Sequence, residues 1–109
     1  MSNAPRTLAR PLRVEPDHPA LPGHFPGRPV VPGVVLLEAV LEAAAELFGH
    51  EPQVAQLAQA KFLAPLLPGQ DASIELAWQD QSDVLDFRVL RAGAPLAQGR
   101  FVLRGEAVA

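Results

Sequence analysis

The sequence predicts an α+β domain in which a curved antiparallel sheet wraps one long helix, and three features of the 109-residue chain carry that reading. One is a strongly apolar run without proline from Gly33 to Phe48. Another is a set of strand-length segments in which apolar and polar residues alternate. The third is a proline at about every third position from Pro16 to Pro32, which excludes helix and central strand there.

Taken in order, Thr7–Val14 reads as a short strand, and Pro11 places it at a sheet edge. Eight of the twelve prolines lie between Pro5 and Pro32. That stretch also holds His18, Leu21, His24, Phe25, Val30 and Val31, side chains that a solvated linker rarely carries. We read it as an ordered, stiff loop that presents side chains. A helix is expected over roughly residues 32–48, with Pro32 in the first turn and Gly49 at the C-terminal cap. Val34, Val35, Leu36, Leu37, Val40, Leu41, Leu47 and Phe48, with alanines between them, cover most of its circumference. Glu38, Glu42 and Glu46 interrupt at i, i+4 and i+8, on one narrow stripe. So apolar a helix must be buried on most sides.

Val54–Leu63, Ala72–Gln79, Val84–Leu90 and Leu96–Leu103 supply the wrapping, with turn signals at 65–69, 80–83 and 92–95. Ile74, Leu76 and Trp78 alternate with Ser73, Glu75 and Ala77, and Leu85, Phe87 and Val89 with Asp86 and Arg88. Such alternation marks antiparallel strands with one wet face, and short connections join the last three as a meander. Residues 1–109 are read as one domain. Five strands cannot encircle the helix, so Leu36, Val40 and Ala44, or another stripe, need a partner subunit. A two-fold homodimer is the commonest solution.

Composition narrows the function. Nine Lys and Arg against twelve Asp and Glu give a net charge of −3, which argues against nucleic acid as a partner. Cysteine is absent, so disulfides, thiolate metal sites and cysteine nucleophiles are excluded. The N-terminal residues lack a signal-type apolar region, and no long apolar run spans a membrane, so a cytoplasmic protein is expected. Phosphate-loop, dinucleotide and zinc-protease motifs are missing, and Ser2, Ser73 and Ser82 lie outside any nucleophile elbow. His18 and His24, six apart across several prolines, make no convincing metal pair, so no metal is expected.

His24 sits in Gly23-His-Phe-Pro-Gly27, and Glu38 follows fourteen residues later, one and a half turns into the helix. Two readings stand at this point. His24 is a loop histidine satisfied by a carbonyl and Glu38 a member of the wet stripe, or the two are an acid and a base on a rigid scaffold. In the second reading a buried helix start offers low dielectric to Glu38, and the Gly33 N–H, backed by the helix dipole, receives a developing oxyanion.

The run Gly23-His-Phe-Pro-Gly-Arg-Pro-Val-Val-Pro-Gly-Val-Val-Leu-Leu-Glu38 resembles, without a gap, the signature of 3-hydroxyacyl-acyl carrier protein dehydratases of the FabA/FabZ type. Ala60-Lys61-Phe62, Pro65 and Pro68-Gly69 are similar to that family's strand and turn after the helix. The resemblance implies a hot-dog fold working as a dimer or an assembly of dimers, with no metal or organic cofactor. It implies that His24 removes the α-proton of a 3-hydroxyacyl thioester and that Glu38 of the opposite subunit protonates the departing hydroxyl or holds the water that does. The Gly33 N–H would hold the thioester carbonyl, and Phe25, Val31, Val34 and Leu37 would line the acyl tunnel or simply fill the core. The chain begins near its first strand, and His18-Pro19 and Leu21-Pro22 replace the commoner Glu-Pro and aromatic pair. This short, ApeI-like form resembles dehydratases of specialised lipid, polyketide or aryl-polyene pathways. An acidic carrier protein would dock on arginines drawn from Arg6, Arg10, Arg13, Arg28, Arg88, Arg91, Arg100 and Arg104. A hot-dog thioesterase using Glu38 to activate water and a non-catalytic acyl-binding subunit are the alternatives.

Overall fold

The computed structural model describes residues 5–19, 21 and 30–106. The element order is β1 (Arg6–Leu12), α1 (Gly33–Phe48), β2 (Val54–Phe62), β3 (Ala72–Gln79), β4 (Val84–Arg91) and β5 (Ala94–Leu103). All five strands form one antiparallel sheet in the order β1-β3-β4-β5-β2. The helix therefore lies in the connection that carries the chain from one sheet edge to the other.

β1 is an edge strand, as Pro11 requires, and its proline stands opposite Ser73 in the register with β3. It ends at Leu12 instead of reaching Val14, because the Val14 carbonyl leaves the ladder and accepts from the Gly69 N–H at 2.8 Å. β3 and β4 alternate as expected, sending Ile74, Leu76, Trp78, Leu85, Phe87 and Val89 into the core. Ala92 and Gly93 both take positive φ, 52° and 80°, between paired Arg91 and Ala94. Two such residues match the twist of the flanking strands and close the β4–β5 hairpin. β2 pairs only with β5 and carries two register shifts, between Val54 and Gln56 and between Leu57 and Gln59. Gly99 lies opposite this irregular stretch. A Cβ there would fall 2.2 Å from the Gln59 carbonyl oxygen and 2.7 Å from the Phe87 ring, so the two strands approach in a way only glycine permits.

Pro32 is the residue before the helix, with extended ψ of 146°, and Gly49 closes the C-terminus in the left-handed conformation, its N–H donating to Ala45 O at 2.8 Å. The helix lays Val35, Leu36, Val40, Ala43 and Ala44 on the apolar face of the sheet. Leu36, Val40 and Ala44 are 4%, 0% and 0% exposed, so they are not the stripe left for a partner. The sheet covers them, and the uncovered side carries Val34, at 60% exposure, with Glu38 and Glu42 exposed beside it.

The end of the sheet near the helix C-terminus is closed by a polar cluster. Trp78 Nε1 donates to Asp83 Oδ1 at 3.1 Å, and the second carboxylate oxygen of Asp83 accepts from the Glu106 N–H at 3.0 Å. The half-exposed His50 ring faces the Glu51 carbonyl at 3.0 Å and the buried Glu106 carboxylate at 3.2 Å. Phe48 meets Trp78 edge-on at 5.2 Å, and the Arg6 guanidinium lies 5.6 Å over the same indole. His50 thus ties the C-terminal segment to the loop after the helix.

Candidate active site

The helix start is the first component. Pro32 provides no side-chain cap, and its carbonyl accepts from the Val35 and Leu36 N–H groups at 3.0 and 3.3 Å. The first-turn N–H groups at Gly33 and Val34 are those that a helix leaves to water or to a bound group. The absence of an acidic residue in that turn leaves the positive end of the dipole uncompensated. Over Gly33 sits the ring of Phe62, whose tip would lie 2.8 Å from a Cβ on that glycine. The N-terminus of α1 and the end of β2 therefore meet through the Phe62 ring, in the space a side chain at position 33 would fill.

Glu38 is the second component. Its side chain is exposed in the single chain, which corrects the expectation that its own helix start places it in low dielectric. The 100° step per residue turns position 38 away from the face that Val35 and Leu36 bury. Glu46 at the far end of the stripe is neutralised by Arg10, whereas Glu38 has no hydrogen-bond or ion-pair partner among the described residues. Two clefts open on either side of it. One, of about 530 Å³, lies between the helix and the segment after β1 and takes in Leu12, Val14, His18, Val35, Glu38 and Ala39. The other, of about 440 Å³, runs from Glu38 along Leu41 and Ala45 to Pro52.

His24 and Phe25 lie outside the described residues, as does Arg28. The described residues on either side are held: Leu21 N–H donates to His18 O at 3.0 Å, Val31 N–H donates to Leu66 O at 2.8 Å, and Leu21, Val31 and Leu66 are all buried. Val31 belongs to the core, Leu37 is half-buried against it, and Val34 points outward. Among the described residues no group of His, Asp and Glu gathers as metal ligands, and no helix is long and apolar enough to cross a membrane. A concavity of about 540 Å³ on the opposite face of the sheet is lined by Thr7, Ala9, Ala77 and the Arg88–Glu75 pair at 2.7 Å, and includes no part of the Glu38 region.

Most of the arginines are occupied. Arg10 pairs with Glu46, Arg13 with Glu15 at 3.2 Å and Asp71 at 3.3 Å, and Arg100 with Asp86 at 2.7 Å. The Asp86 hydrogen bond and charge raise the Arg100 guanidinium above its ordinary value. Arg91, Arg104 and Lys61 have no carboxylate partner among the described residues. The place of His18 in the Glu38 cleft was not legible in spacing, because the backbone hydrogen bonds from His18 to Glu15 and from Leu21 to His18 bring it into a cleft shared with a helix residue twenty positions further on.

Comparison with known proteins adds the following. The sequence model of the ApeI-like family, described as ApeI dehydratase, matches residues 1–100. A 3-hydroxyacyl-[acyl-carrier-protein] dehydratase FabZ of Symbiobacterium thermophilum is 37% identical over 78 residues, covering 65% of this chain and 55% of that protein. The chain thus spans about half the length of this curated relative. The dehydratase heterocomplex ApeI:P of Xenorhabdus doucetiae superposes with a TM-score of 0.80 at 26% identity, covering 94% of this chain and 88% of that one. The (R)-hydratase from A. caviae involved in PHA biosynthesis, at 15% identity, TM-score 0.72 and coverage of 94% and 96%, shares the fold. The architecture is that of a hot-dog domain, the sheet wrapping the helix.

Proposed function

Because the chain belongs to the ApeI-like dehydratase family, we propose that it converts 3-hydroxyacyl thioesters on an acyl carrier protein into trans-2-enoyl thioesters, with residues 1–109 acting as one domain. The observation that carries the proposal is Glu38: a carboxyl with no partner among the described residues, on an apolar helix, between two clefts and just beyond a helix N-terminus without a side-chain cap. An α-proton beside a thioester is weakly acidic, so charge must be delocalised onto the carbonyl oxygen. The Gly33 N–H is the donor for that oxygen, and His24 is the base that takes the proton from C2. Hydroxide leaves poorly, so Glu38 gives its proton to the 3-hydroxyl and water departs. Phe25, Val31, Val34 and Leu37 surround the acyl chain in this reading. No metal or organic cofactor enters the chemistry.

The exposure of Glu38 in one chain supports a site completed by a second, with His24 of one copy facing Glu38 of the other. β2 supports the same arrangement, since it is a sheet edge with no buried residue and exposes Val54, Leu57 and Phe62. We place the acidic carrier protein against unpaired cations, Arg91, Arg104 and Lys61 foremost, and the protein in the cytoplasm. The test is product analysis with a 3-hydroxyacyl carrier-protein thioester. Loss of water with the absorbance of a conjugated enoyl thioester is expected. Release of free 3-hydroxy acid would make the protein a thioesterase, and unchanged substrate a binding subunit.

A further inference from the structure

The chemistry just proposed leaves its two side chains in the wrong state. His24 ends each turnover with the C2 proton, and Glu38 ends it as a carboxylate. The substrate has lost only water, so the protons balance, but Glu38 must regain one before it can serve again. With a second copy covering Glu38, as the proposed mechanism has it, a route for that proton is needed even after the product has left.

The cleft of about 530 Å³ beside Glu38 provides one within the same chain. Its floor is apolar, from Val14, Val35 and Ala39, and its rim is titratable, with Glu15, Asp17 and His18 from the segment after β1 and Glu42 beside Glu38 on the helix. Arg13 on the same rim is engaged by Glu15 and Asp71, and His18 is the imidazole that lines this cleft with Glu38. Its placement is fixed by the backbone: His18 N–H donates to Glu15 O and its carbonyl accepts from Leu21 N–H, each at 3.0 Å, and Leu21 is buried. The half-buried imidazole is thus held at the boundary between solvent and cleft.

Resting on the dehydratase reading above, we propose that His18 is the proton-exchange partner of Glu38. It acts through Glu38 and does not touch the reacting atoms. Protonated His18 passes its proton across the cleft to the Glu38 carboxylate and is itself reprotonated from solvent. His24 gives the C2 proton to solvent, and the cycle closes with no net proton consumed.

The reset follows product release, so it limits kcat and leaves kcat/KM alone. In the full-length protein assayed for enoyl formation, His18→Gln is expected to lower kcat about tenfold with kcat/KM unchanged. His18→Ala is expected to do the same and to recover when imidazole is added to the buffer. Unchanged kcat in both variants overturns the proposal. So does a parallel fall of kcat and kcat/KM that imidazole does not restore, since that is the signature of a structural residue. Failure of the dehydratase reading shows separately, as absence of enoyl product from the unsubstituted protein.

Discussion

Glu38 is set apart from the other carboxylates of its stripe by its surroundings, since Glu46 is held by Arg10 and Glu38 opens on two clefts. Because it is exposed and has no partner among the described residues, replacing it is expected to disturb chemistry without disturbing the fold. Glu38→Gln is expected to lower kcat for enoyl formation at least ~100-fold while Tm stays within about 2 °C. A variant with ordinary turnover would remove the acid from the mechanism. The proposed pair His24 and Glu38 is singled out by a gapless motif, and His24 lies outside the described residues. The exposure of Glu38 was not legible in the sequence, since composition says that the helix is apolar without saying which face the sheet takes. His18 was visible only as a departure from the family pattern, and its cleft exists only after the 15–21 turn folds against α1.

At the level of elements, periodicity decided most of the outcome. The two-residue alternation of β3 and β4 matches the burial found, whereas the apolar run of 33–48 marked a helix without marking which of its faces the sheet would bury. Strand ends moved where a backbone group found a better partner, as Val14 O did with Gly69. What local sequence does not encode is that β2 crosses to the edge opposite β1, because the register with β5 is chosen by packing across the whole sheet. Gly99 records that choice, its missing side chain making room for the Gln59 carbonyl at the irregular part of β2. Gly99→Ala is expected to cost about 1–3 kcal/mol, because the obstacle is backbone and cannot swing aside. Equilibrium urea unfolding reads this as a lower midpoint, and an unchanged midpoint would mean that β2 and β5 do not pack as described.

For the molecule as a whole, the sheet has buried one side of the helix and left the other unfinished. Val34 and Glu38 on the helix, and Val54, Leu57 and Phe62 on the free edge of β2, face no other part of the described chain closely enough to be buried. In the proposed mechanism the occupant is a second copy, which also gives Glu38 its base. That claim has a direct test in complementation, with His24→Ala and Glu38→Gln proteins prepared separately, each inactive, then unfolded together and refolded as a mixture. A heterodimer of the two variants holds one site with both groups intact, so the mixture is predicted to recover about a quarter of the unsubstituted rate of enoyl formation. A mixture that stays as inactive as its components would contradict a site shared between two copies of the chain.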